Sequence, residues 1–199
     1  MRHEPIGKEL FVSNRKRLLK KLKPGSLVVL NSNDIMPSNA DGTLGYIQNS
    51  DLYYLSGIHQ EESIVVLCPD FPDKKYREIL FLREPNELME KWEGHKLTKK
   101  EATEISGIET VIWLSSFEKL FHHMMTMGGV DQVYLNTNEH YRSEIVVQSR
   151  DARFIEWCQK TYPLHRYRRI APLMGELRKV KQPREIELMQ KACDITECG

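Results

Sequence analysis

The 199-residue chain lacks every short signature that would announce a catalytic or nucleotide-binding site. It has no G-x-G-x-x-G, no glycine-rich loop ending in Lys-Ser or Lys-Thr, no G-x-S-x-G, no H-E-x-x-H and no EF-hand loop. Dinucleotide, P-loop, serine-hydrolase, zincin and EF-hand chemistries are therefore unsupported by motif. Long hydrophobic runs are missing too: nothing reaches the ~18 consecutive apolar residues of a membrane span. The opening MRHEPIGKEL has no apolar segment of the signal-peptide kind. A cytoplasmic protein with no membrane partner is expected. Charge of one sign is scarce as well. The net charge is +1 with acids and bases interspersed, so no field strong enough to hold a nucleic-acid backbone is evident. Cys68, Cys158, Cys193 and Cys198 share no C-x-x-C or zinc-ribbon spacing, which fits a reducing compartment and structural or surface thiols.

What is present is ordinary for a globular domain. Charged residues make up 29% of the chain and hydrophobic ones 40%. A chain of this length buries roughly 70% of its unfolded surface around one core. A helix is predicted over Ile6 to Leu22, ended by Lys23-Pro24-Gly25. Its basic block, Asn14-Arg15-Lys16-Arg17 with Lys20-Lys21, overlaps the repeat Leu10, Phe11, Leu18, Leu19, Leu22 and reads as a solvated helix face. Strands are predicted at Ser26 to Leu30, around Leu52 to Leu55, at Ile64 to Cys68 and at Glu78 to Leu82. The last three form an expected antiparallel meander. Helix and strand then alternate: helices over Lys99 to Ser106, Phe117 to Met127 and Arg150 to Thr161, strands at Val111 to Leu114, Gln132 to Leu135 and Arg166 to Ile170. This order implies a three-layer α/β domain, a mixed sheet of about six strands flanked by helices. Val28, Leu30, Val65, Leu67, Leu80, Val111 and Tyr134 should share one core. Two more helices, Pro172 to Val180 and Pro183 to Glu197, flank Lys181-Gln182; Pro183 suits a first helical position. The second carries an apolar row and reaches Gly199 looking interrupted, as if more chain should follow.

Few side chains suggest chemistry. His122 and His123 are adjacent and so point about 100° apart on a helix, which rules out chelation of one metal by the pair. Asp34, Asp41 and Asp51 lie in and just beyond a polar loop, where carboxylates cap turns. Trp113 and Trp157 fall in strand and helix patterns and are assigned to the core.

The most informative stretch is Tyr46-Ile47-Gln48-Asn49-Ser50-Asp51-Leu52-Tyr53-Tyr54-Leu55-Ser56-Gly57-Ile58. By residues alone it is a loop entering a strand. It closely resembles the signature of the N-terminal domain of Xaa-Pro aminopeptidases, prolidases and creatinases, matching at Gln48, Ser50, Tyr54, Leu55 and Gly57, with Ser56 at a threonine position. Asn31-Ser32-Asn33-Asp34, Glu61-Glu62-Ser63 and Leu82-Arg83-Glu84 fit the same pattern. Glu90-Lys91-Trp92-Glu93-Gly94-His95-Lys96-Leu97 is similar to a segment of bacterial aminopeptidase P, and Leu177 to Ile186 resembles the family's linker. Ile47 departs from a frequent arginine, and His95-Lys96 replaces an Arg-Arg pair.

The resemblance implies a creatinase/prolidase N-terminal domain, ribonuclease H-like, over residues 1–175, with 176–199 as linker and first helix of a catalytic pita-bread domain. It implies a parent enzyme that cleaves the residue before proline, using two divalent metals, expected to be manganese, held outside this chain. No catalytic residue, metal ligand or cofactor is then expected within residues 1–199. Expected partners are the chain's own catalytic domain, further copies in a homo-oligomer, and a peptide with proline second. Trp92, with His95 and Lys96, is the candidate substrate-cleft or intersubunit element, on a projection expected over 90–97. A scaffolding module, or a catalytically inactive or creatinase-like relative, is the alternative.

Overall fold

The computed structural model describes residues 6–127, 129–144 and 146–198, without the side chains of Glu87, Met89, Glu90 and Cys198. Gly199, and the side chains of Glu90 and Cys198 singled out above, lie outside the described residues. Six strands, β1 (Ser26–Asn31), β2 (Ile64–Leu67), β3 (Glu78–Leu82), β4 (Thr110–Trp113), β5 (Gln132–Leu135) and β6 (Arg166–Arg169), form one sheet in the order β4-β3-β2-β1-β5-β6. β1, β2 and β3 are antiparallel neighbours, while β3–β4, β1–β5 and β5–β6 are parallel. The sheet is mixed, as its element order requires.

The meander thus exists with a different membership. Leu52 to Leu55 is not a strand but the centre of helix α2 (Ser50–Ser56); helix α1 (Lys8–Leu19) precedes it. Both ends of α2 are set locally. Asn49 Oδ1 accepts from the amides of Asp51 (3.0 Å) and Leu52 (3.2 Å), and Gly57 closes the helix at φ 71°, a left-handed conformation that glycine alone adopts freely. A Cβ at Gly57 would also lie 2.3 Å from the Phe11 ring. Leu52 and Leu55, three apart, enter the core together; this pairing outweighs the strand propensity of Tyr53 and Tyr54.

The remaining helices are α3 (Glu87–Glu93), α4 (Lys99–Ser106), α5 (Phe117–Met127), α6 (Arg150–Thr161), α7 (Ala171–Lys179) and α8 (Pro183–Cys198). Strand residues alternate between two cores. Val28, Leu30, Val65, Leu67, Leu80, Val111 and Tyr134 pack with Leu18 of α1, Leu52 and Leu55 of α2, Ala102 of α4, and Met174 and Leu177 of α7. Leu27, Val29, Val66, Phe81 and Val133 pack on the other face with Phe117, Phe121 and Met124 of α5 and Cys158 of α6. Three layers result, and the period-two pattern put the predicted core residues on one face.

The basic block on α1 is corrected in part. Lys16, Lys20 and Lys21 are exposed, but Asn14 and Arg15 are buried, Arg15 at 1%. Arg15 donates to the carbonyls of Leu55 (2.7 Å) and Ser106 (2.9 Å) and to Glu78 (2.8 Å). It therefore joins the C-terminal turns of α2 and α4, where helix dipoles favour a cation, to the first residue of β3.

Candidate functional site

The segments singled out by resemblance converge at one end of the sheet. Gln48 braces the turn before β2: its Nε2 donates to the carbonyls of Ile58 (3.1 Å) and Gln60 (2.9 Å), and its Oε1 accepts from the Asn49 amide (2.8 Å). Ser32 and Ser63 bind each other across β1 and β2, through Ser32 N to Ser63 O (2.9 Å) and Ser63 N to Ser32 Oγ (3.2 Å). Ser56 Oγ donates to Leu52 O (2.7 Å), and Tyr54 Oη to Leu177 O on α7 (3.4 Å). Each of these signature residues has a bracing task.

That brace supports a charged clasp. Lys96 is 6% exposed, paired with Glu61 and lying 3.3 Å from Glu93. Arg83, just past β3, reaches Glu62 through Nε (3.2 Å) and Glu93 through Nη1 (3.2 Å). Three carboxylates and two cations thus tie the last residue of α3 to the turn before β2 and the end of β3. Glu62 has φ 50°, a left-handed conformation that costs a residue with a side chain roughly 1–2 kcal/mol. That strained residue carries the carboxylate that meets Arg83. Burial pulls the Lys96 ammonium down, but the bonds and charges of Glu61 and Glu93 outweigh it, leaving Lys96 above the ordinary lysine value.

The clasp holds a helix whose other side is open. Trp92 is 78% exposed and Leu88, one turn earlier, 69%, so the two form a short apolar ridge at i, i+4 spacing. His95 is exposed, with Nε2 3.1 Å from Glu101; Glu101 closes a capping box with Thr98 at the start of α4. The exposed projection expected over 90–97 is thus corrected at its end: Leu97 is half-buried against the core, and Lys96 is buried. Its aliphatic stem and ammonium face inward because Glu61 is itself buried and requires a cation. In the sequence, Glu61-Glu62 and Arg83 carry a family pattern without a task; a carboxylate pair before one strand and an arginine after the next is the signal for the clasp.

The other side chains weighed for chemistry have structural partners. Asp34 pairs with Arg153 (2.6 Å) and Asp51 with Arg178 (2.8 Å), while Asp41 is exposed. Asp151 accepts from Asn31 Nδ2 (2.8 Å); burial raises its carboxyl to about 6, against the lowering effect of that bond. His122 Nδ1 lies 3.1 Å from Tyr162 Oη, and His123 meets the Phe71 ring edge-on. Trp113 and Trp157 are half-buried against the two cores. Cys68 and Cys158 are buried free thiols, raised by burial to about 11 and about 12. Among the described residues no group of three or more His, Cys, Asp or Glu side chains could hold a metal ion. No described helix is long and apolar enough to cross a membrane.

Residues 11–134 match the family described as Aminopeptidase P, N-terminal domain. The chain belongs to that family. It is 25% identical over 205 residues to the Xaa-Pro aminopeptidase of Escherichia coli K12, covering 96% of this chain and 43% of that protein. A solved Bacillus anthracis structure assigned to aminopeptidase P superposes with a TM-score of 0.82 at 27% identity, over 94% of this chain and 43% of that one. Zinc-substituted Escherichia coli aminopeptidase P in complex with product gives 0.75 at 25% identity, over 97% and 43%. The chain thus spans less than half the length of the relatives it matches, and its mixed three-layer fold is theirs.

Proposed function

We propose that this chain is the non-catalytic N-terminal domain of a metal-dependent Xaa-Pro aminopeptidase, and that α3 presents Trp92 to a substrate entrance or a neighbouring subunit. The observation that carries the reading is an exposed indole on a helix held by a clasp of five charges. A large aromatic left in solvent while its neighbour Glu93 is tied down is arranged for contact rather than for folding. A stiff indole suits a proline ring or an apolar partner surface. His95 and Lys96 have different parts: His95 borders the exposed ridge, and Lys96 anchors it.

The metal chemistry belongs, in this reading, to a catalytic domain that follows in sequence and holds two divalent ions, manganese by expectation. Such a pair activates a water and polarises the scissile carbonyl. Among the described residues no cluster of His, Cys, Asp or Glu side chains would hold such a pair. α8, as the first helix of that domain, carries exposed Ile186, Met189 and Ile195, apolar surface for the rest of the domain to cover, and the setting is cytoplasmic.

The test is Trp92→Ala in the full-length enzyme. Activity on Xaa-Pro peptides should fall, through KM if the ridge acts at the entrance, with sedimentation reporting any change of assembly. Unchanged kinetics together with unchanged assembly would reject the role of α3.

A further inference from the structure

Arg150, the first residue of α6, lines three cavities of about 390, 380 and 320 Å³. Its guanidinium is always charged, and burial works against that charge. Among the described residues its side chain donates one hydrogen bond, to Ser32 Oγ (2.9 Å), and forms no ion pair. The acids whose charge reaches it are Glu62, Asp34 and Asp151. Each is engaged elsewhere: Glu62 by Arg83, Asp34 by Arg153, Asp151 by Asn31. A half-buried guanidinium with spare donors is unusual, because such groups are normally matched by a carboxylate or phosphate.

The second cavity sets apolar walls beside that cation. Met36, Leu44 and Ile47 come from the loop after β1, and Val147 from the loop before α6; all four are exposed, Ile47 at 76%. Its volume, about 380 Å³, is ample for one branched side chain together with a carboxylate beside it. Among the described residues lining this cavity Arg150 is the single cation, so one negative charge is matched there and the second charge of a phosphate dianion is not. We propose that this groove binds the C-terminal end of a peptide whose last residue is apolar, with the α-carboxylate on Arg150 and the side chain between Met36, Leu44, Ile47 and Val147. Ile47 then acts as a wall of the groove.

Methyl NMR of the 199-residue chain titrated with N-acetyl-leucine tests this. Saturable shifts are expected at the methyls of Met36, Leu44, Ile47 and Val147. N-acetyl-leucinamide, which lacks the charge, should bind about tenfold more weakly, as expected for loss of one charge-assisted contact. Arg150→Gln should impose a similar loss on the acid and none on the amide. If that variant fails to fold, the acid–amide comparison on the native chain still decides. Equal binding of acid and amide, shifts that map elsewhere, or no saturation at concentrations on the order of 10 mM would overturn the site. Free leucine binding as well as N-acetyl-leucine would overturn the peptide-end assignment.

Discussion

Two buried cations divide this molecule into a region built for stability and a region built for presentation. Arg15 sits between α1, α2 and α4 at 1% exposure, bonded to two helix C-terminal carbonyls and to Glu78. Lys96 sits at one end of the sheet at 6% exposure, bonded to Glu61 and Glu93. The planar guanidinium satisfies acceptors in several directions at once, so it can knit three elements together. The ammonium is a point charge that secures one short helix and leaves the opposite side open. The same physics of burying a charge therefore serves the core in one place and a protruding ridge in the other.

The comparison can be broken by substitution, the largest effect first. Arg15→Met should cost about 3–5 kcal/mol in urea unfolding, because two buried carbonyls lose their donor. A loss below about 1 kcal/mol, the scale of an exposed pair, would mean that Arg15 is not central. Lys96→Met should cost less, about 2 kcal/mol, by stranding the buried carboxylate of Glu61. It should also speed amide exchange in α3 while leaving α1 and α2 protected. Because the Lys96 value is raised, its stabilisation is complete below the unfolded lysine pKa and is lost only as pH climbs through the folded one. A native-minus-variant difference that changes between pH 6 and 9 would contradict this.

Asp151 sharpens the contrast from the acidic side. Its carboxyl is raised to about 6 by burial, so the folded state holds its proton more tightly than the unfolded chain does. This group therefore weakens the fold above about pH 6, and its cost fades as pH falls toward the unfolded aspartate value of about 4. Asp151→Asn should stabilise the chain by roughly 2–3 kcal/mol at pH 7.5, the worth of raising a carboxyl from about 4 to about 6, with the difference from the native chain shrinking on acidification. Denaturant melts of both proteins at several pH values check the sign. Trp92→Ala should have the smallest effect, within about 0.5 kcal/mol for the chain's own stability. A loss of ~3–5 kcal/mol, typical of a core tryptophan truncation, would place the indole in the core and end the proposed role of α3.

Much of the site was visible as pattern but not as mechanism. Trp92 stood out because an aromatic among Lys91, Glu93, His95 and Lys96 has no core to join, and the fold leaves it exposed. Lys96 looked equally exposed on the same reasoning, yet its fate depends on Glu61, 35 residues away in sequence. Arg150 carries no local signal, since an arginine at a helix start is commonplace and only folding places the cavities around it.

By itself, the sequence determined the elements whose signals lie within a turn or two of chain. α4, α5 and α6, bracketed by breakers and capping residues, have their predicted limits, and the alternating apolar strands filled the predicted core. Tertiary structure alone decided which polar residues turn inward. Arg15 finds its acceptors 40, 63 and 91 residues away, and α2 is a helix because Leu52 and Leu55 must enter the core on the same side. Periodicity is a local property, whereas satisfying a buried charge depends on partners that only folding brings within reach.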